Sequence, residues 1–337
     1  MTNLDERSNA SRRQFLKKFL ATGAAFSIMP ASMAKSTPEQ NAGSDENESP
    51  VRPEGLIDRF AVIGDTHYPR DTFHGSRHVG VDNRERSLRA QPTKVEDRLN
   101  LLNDAIDREK RGMGLDFLIH IGDIVHSSGS KEDHAWFRDA ILRAHGIPSF
   151  VCYGNHDRLE EDDWREVYGQ GRDHAFSRNG FGYIILNSSD TTGARQLCLG
   201  EDFLKQHLEA FSELKGVFLI THIPRYTGFR GDDRLGPSYG EDSPQCDKIM
   251  ALLEASPNLV CCVSGHFHEH NGILYERGIP MVFTNHFAHY GTNQYGLRIF
   301  EVYEDGAVFA RLEGFEGEPA NNGWKYHYRH SHLYRIH

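Results

Sequence analysis

Arg59-Phe60-Ala61-Val62-Ile63-Gly64-Asp65-Thr66-His67 is the stretch from which the rest of the chain is read. Phe60 to Ile63 is a short apolar run, the pattern of a buried strand. Gly64 ends it. Asp65 and His67 follow at i and i+2, which puts both on one face of an extended segment. A strand that delivers polar donors at its carboxyl end is how open α/β sheets build ligand sites. The same pattern recurs downstream. The run 115–121 leads into Gly122-Asp123, and 148–153 into Gly154-Asn155-His156-Asp157. The run 217–221 leads to His222, and 259–263 to Gly265-His266-Phe267-His268. A glycine precedes Asp65, Asp123, Asn155 and His266, and is expected to turn the backbone off the strand so that each donor points above the sheet.

Helical spacing separates these strands. Val95, Leu99, Leu102 and Ile106 recur every three or four residues within 93–111. Trp136, Phe137, Ile141 and Leu142 form the stripe of a second helix over 133–144, and further helices are expected over 202–214 and 248–254. A fourth strand is expected over 181–186. Alternating strands and helices indicate an α/β domain. The later runs 279–283, 297–303 and 307–312 have no helices between them and suggest antiparallel pairing. One domain spans 56–315, with a tail over 316–337.

Composition narrows the chemistry. Lys and Arg total 38 against 48 Asp and Glu, a net charge of −10. Such a balance argues against a general nucleic-acid binder, which replaces counterions with basic side chains. Five Cys do not make a disulfide framework. Cys152, Cys261 and Cys262 fall in predicted strands, where a free thiol behaves as a small hydrophobe. The 20 His point to a metal held by nitrogen and oxygen. The side chains grouped at the strand ends are all such donors.

The order Asp-x-His, Gly-Asp, Gly-Asn-His-Asp, His, Gly-His-x-His resembles the calcineurin-like metallophosphoesterase superfamily over about residues 58–270. The resemblance implies an α/β fold, a two-sheet β-sandwich flanked by helices in four αββα layers, with a binuclear metal site at the C-terminal ends of strands. It implies that Asp65, His67 and His268 bind a first metal, that Asp123 bridges, and that Asn155, His222 and His266 bind a second. His156 would face the substrate phosphate, with Asp157 behind it. The cofactors expected are two divalent or mixed-valence ions, Fe, Mn or Zn. Two such ions clamp a phosphate, and a metal-bridging hydroxide is the expected nucleophile. His156 either protonates the leaving group or binds a phosphate oxygen; its structural alternative is a hydrogen bond to Asp157. The purple acid phosphatase branch differs: it has Tyr three residues after the Gly-Asp aspartate and Asp-x-Gly in the first motif. Here those positions hold His126 and Asp65-Thr66-His67. His126 is read as either a support for the metal ligands or a surface residue.

Residues 1–34 read as an address. Ser11-Arg12-Arg13-Gln14-Phe15-Leu16-Lys17 resembles the twin-arginine export signal. The apolar run behind it is too short to span a membrane, and Ser32-Met33-Ala34 offers small residues for cleavage. Removing this segment, with its five basic and two acidic residues, takes the net charge from −10 to −13. Residues 35–55 have the composition of a disordered linker. The chain is thus expected to be an exported, periplasmic or extracellular hydrolase of a small phosphomonoester or phosphodiester. Its other partner is the export machinery; nucleic acid and a stable membrane anchor are not expected. Rival readings are a nucleotide pyrophosphate-bond hydrolase and a non-catalytic metal- or phosphate-binding protein. Two long connections are candidate rims: 68–91, rich in Arg, is either a substrate grip or a solvated loop, and 224–244 carries Tyr226, Phe229, Arg230 and Tyr239.

Overall fold

The computed structural model describes residues 51–69, 95–126, 130–192, 199–224, 244–266, 272–284, 296–314 and 332–335. The expected export signal, the expected linker up to residue 50, His268 and all but the edges of the two long connections lie outside the described residues. So do 285–290 and all of the tail except 332–335.

Strands β1 (Leu56–Ile63), β2 (Phe117–His120) and β3 (Ser149–Val151) run parallel, with β1 in the middle of its sheet. The other edge of β1 pairs antiparallel with β10 (Gly296–Tyr303), which continues through β11 (Ala307–Gly314) to β12 (His332–Arg335). The second sheet runs β4 (His174–Arg178), β5 (Phe181–Leu186), β6 (Gly216–Thr221), β7 (Leu259–Ser264), β9 (Ile279–Phe283) and β8 (Ile273–Glu276). Its four inner strands, β5, β6, β7 and β9, are parallel.

The period-two alternation of the strands separates three cores. Phe60 and Val62 of β1 face the second sheet and pack with Phe117, Tyr183, Phe218 and Phe300. Phe60 lies at the centre, stacked on Phe117 at 4.6 Å and Phe300 at 4.8 Å. Ala61 and Ile63 point the other way. They meet α1 (Val95–Gly112), α2 (Lys131–Phe137) and α3 (Glu161–Tyr168) through Leu99, Leu102, Phe137 and Trp164. On the far side, Ile184, Leu219 and Cys262 pack on α4 (Glu201–Ala210) and α5 (Pro244–Glu254). The layers are therefore α, β, β, α. Cys152, Cys261 and Cys262 are buried thiols. Among the described residues, no helix is long and apolar enough to cross a membrane.

Several elements depart from the sequence expectation. The expected helix over 133–144 is two pieces: α2, capped by Ser130, which accepts from the Asp133 N–H at 3.1 Å, and a π-helical turn (Arg138–Leu142). Trp136 lies outside the buried stripe, which is His134, Phe137, Ile141 and Leu142. It is 44% exposed and stacks on Tyr68 with ring centroids 4.3 Å apart. Helix α3, strand β4 and the short strand β8 were not anticipated. Strand β9 pairs antiparallel with β8, as β10 does with β11, but its other edge pairs parallel with β7. Strand β12, inside the expected tail, adds an edge to the first sheet.

Candidate metal centre

Six of the seven expected metal ligands converge where β1, β2, β6 and β7 end and where the loop after β3 begins. Asp65, His67, Asp123 and His222 are at most 1% exposed, while Asn155 and His266 are half-buried. The seventh, His268, lies outside the described residues. The donor atoms of Asp65, His67 and Asp123 fall within 4.8 Å of one another, as do those of Asp123, His222 and His266. Asp123 is common to both groups.

The backbone reaches this arrangement at a cost. Asp65, His67, Asp123 and His266 have φ of +50°, +48°, +52° and +68°. That left-handed region is uncommon outside glycine and, when occupied by other residues, clusters at functional sites. The expectation that the preceding glycines make the turns needs correcting. Gly122 does turn, with φ +103°, but Asp65 and His266 make their own turns. Gly154 and Gly265 serve close approach. A Cβ at Gly265 would lie 2.7 Å from Asp65 Oδ2, and one at Gly154 would overlap the Asp123 backbone nitrogen and Oδ1.

Two oxygens of Asp123 do different work. Oδ1 accepts the His156 backbone N–H at 2.8 Å. Oδ2 lies 3.5 Å from His67 Nε2 and 3.2 Å from His222 Nε2, between the two donor groups. Burial alone would raise the Asp123 pKa, but His222, His67 and His156 hold it well below the usual carboxylate range. Asp65 accepts the His266 backbone N–H at 3.1 Å, tying the first motif to the last.

His222 reports what the site requires. Its Nδ1–H donates to the Ile121 carbonyl at 3.0 Å. Its Nε2 then faces two oxygens, Asp123 Oδ2 and Asn155 Oδ1, each at 3.2 Å. A neutral ring would point a lone pair at two acceptors, so a positive centre is needed there. Burial would lower the His222 pKa, yet Asp123, Asp65 and Asp157 push it up to about 9. Buried carboxylate oxygens and imidazole nitrogens are the donors that hold first-row divalent ions, so the residues present fit a metal pair.

Asp157 supports the site through backbone contacts. Its side chain accepts the backbone N–H groups of Gly154 at 2.7 Å, Val125 at 3.0 Å and Asp123 at 3.1 Å. It thereby laces the Gly-Asp loop to the Gly-Asn-His-Asp loop. Burial, and then the neighbouring charge of Asp123, raise its pKa to about 8. His156 is half-buried, with its ring centroid 4.8 Å from that of His67. It also stacks on His126 at 4.8 Å and 19°. His126, left open between two roles by the sequence, shares a donor group with His67 and His156. Its Nδ1 is 3.0 Å from His67 Nδ1.

Residues 58–270 match the family model of the calcineurin-like phosphoesterases. No curated protein matches the chain by sequence. Among solved structures, a dimetal phosphatase from Danio rerio superposes with a TM-score of 0.55 at 13% identity, over 77% of this chain and 97% of the other. A purple acid phosphatase from yellow lupin (Lupinus luteus) seeds gives 0.52 at 13% identity, over 80% of this chain and 54% of the other.

Proposed function

The chain belongs to the calcineurin-like phosphoesterase family and is a hydrolase of phosphoester bonds, and from that premise we propose that it is an exported enzyme acting on a small phosphomonoester or phosphodiester. The observation that carries the site reading is Asp123 Oδ2, shared between His67 Nε2 and His222 Nε2. In this reading Asp65, His67 and His268 hold one ion, Asn155, His222 and His266 hold the other, and Asp123 belongs to both. The pair of cations, when bound, supplies Lewis-acid charge to a phosphate and lowers the pKa of water.

The protein's own groups do the rest. The Ile121 carbonyl fixes the His222 tautomer so that Nε2 faces the oxygens of Asp123 and Asn155. Asp157 and Gly154 set the distance between the second and third motif loops. The His156 backbone is pinned to Asp123 Oδ1, which leaves its half-buried ring to meet the substrate. A ring nitrogen of His156 donates a proton to the departing alkoxide, a role suited to imidazole near neutral pH.

Export rests on the Ser11-Arg12-Arg13-Gln14-Phe15-Leu16-Lys17 pattern and the short apolar run behind it. The catalytic reading is tested by hydrolysis of p-nitrophenyl phosphate and its bis ester with added Mn²⁺ or Fe²⁺. Turnover of at least one is expected. Two bound ions with no turnover of either ester would contradict the small-ester assignment.

A further inference from the structure

We infer that His126 is a positioning residue for His67, an inference that rests on the reading of His67 as a metal ligand through Nε2. The two Nδ1 atoms are 3.0 Å apart. One of them must carry the proton and the other must accept it. His67 Nε2 is the atom that faces Asp123 Oδ2, so a ligating His67 keeps its proton on Nδ1. That N–H then donates to His126 Nδ1, and His126 is the Nε2–H tautomer.

The contact mirrors what happens at His222. There the ring nitrogen away from Asp123 donates to the Ile121 carbonyl. Metal-bound histidines generally give their second N–H to such a partner, which fixes the tautomer and the ring plane. For His67 that partner is the His126 side chain. The fold holds His126 firmly enough for the task. Its backbone N–H donates to the Tyr68 carbonyl at 2.8 Å, and the Tyr68 N–H donates to the Ile124 carbonyl at 2.9 Å. A parallel bridge between Tyr68 and Val125 thus locks the residue after His67 beside the residue before His126. The His126 ring also stacks on His156. One side chain therefore spans the metal-ligand and phosphate-facing histidines.

The test is Mn²⁺ binding by the full chain, measured as stoichiometry and affinity by titration calorimetry on apo-protein. The wild type is compared with His67→Ala, His126→Leu and His126→Asn, and thermal unfolding of each variant is recorded. Asn keeps an acceptor oxygen near the place of Nδ1, and Leu does not. The expected result is loss of one ion in His67→Ala, and about 10- to 100-fold weaker binding of one ion in His126→Leu. His126→Asn should stay within about threefold of the wild type, by the same reasoning. Unchanged affinities in His126→Leu would overturn the inference. So would equal losses in the Leu and Asn variants, since that pattern belongs to a direct ligand or to a general loss of fold, and the unfolding data separate those two. Unaltered binding in His67→Ala, by contrast, would overturn the underlying assignment of His67.

Discussion

A methyl group at Gly154 would overlap the backbone nitrogen and Oδ1 of Asp123. Gly154→Ala should therefore displace the central carboxylate without changing any donor. The expected outcome is about a 100-fold fall in kcat/KM, the cost typical of a misplacement near 1 Å. The overpacking should cost about 1–3 kcal/mol of stability in urea. Full activity in a folded Gly154→Ala protein would contradict the close packing of the two loops. His156 separates its two roles by leaving group. If it gives a proton to the departing oxygen, His156→Gln should lose about 100-fold or more on an alkyl phosphate. The loss should be much smaller on p-nitrophenyl phosphate, whose phenolate leaves without help. Equal losses on both would instead assign the ring to phosphate binding. Donor identities were legible in the sequence because metal chemistry restricts them to a few residue types. The partner of His67 was not legible, because Nδ1-to-Nδ1 contact with His126 depends on the pairing of Tyr68 with Val125, which no spacing encodes.

Two elements carry buried histidines that are neutral in the fold. His120 ends β2, accepting the Gly122 N–H on Nδ1 at 3.2 Å and meeting Thr66 Oγ1 with Nε2 at 3.0 Å. His134 sits in α2, where Nε2–H donates to the Asp157 carbonyl at 3.0 Å and Nδ1 meets the Tyr168 hydroxyl at 2.8 Å. Burial lowers their pKa values to about 3 and about 4. In the unfolded chain both titrate near ~6.5. The unfolded state thus takes up protons first as pH falls, and stability that is full above ~6.5 declines toward the folded values. Each ring contributes about 1.4 kcal/mol per pH unit in that window. Asp157, with its pKa raised to about 8, gives the opposite slope in that window, so a ring's share is read by difference. Below pH ~6.5 the wild type should lose about 1.4 kcal/mol per pH unit more than His134→Gln in urea unfolding, and a difference constant with pH would contradict this. The inner strands were legible because they are continuous apolar runs. Helix α3 and strand β4 were not: Glu161-Asp162-Asp163 opens the helix with charge, and β4 is an edge strand with Ser177 and Arg178 exposed. Strand β9 was legible as a strand with an antiparallel neighbour, here β8, but its parallel edge on β7 was not, since that pairing is not set by its own residues.

At the scale of the whole molecule, two sheets face each other across an aromatic core, and the helices cover their outer faces. This packing brings donors from β1, β2, β6 and β7 and from the loop after β3 to one end, although Asp65 and His266 are 201 residues apart. Their order along the chain was enough to identify the fold class, since each motif follows its own strand. Export belongs at this scale too. On the export proposal, removing residues 1–34 makes the net charge −13 rather than −10, which leaves bound cations and the Arg-rich 68–91 connection as the candidate sources of positive field at an anionic substrate. Replacing Arg12 and Arg13 together by Lys should retain the precursor in the cytoplasm, read by cell fractionation. Unchanged appearance outside would contradict a twin-arginine route. The central claim is a metal pair sharing Asp123. Metal analysis of wild-type and Asp123→Asn protein, dialysed side by side after loading with Mn²⁺, tests it most directly. The account predicts two ions per wild-type chain and one or none in the variant. Two firmly held ions in Asp123→Asn would contradict it.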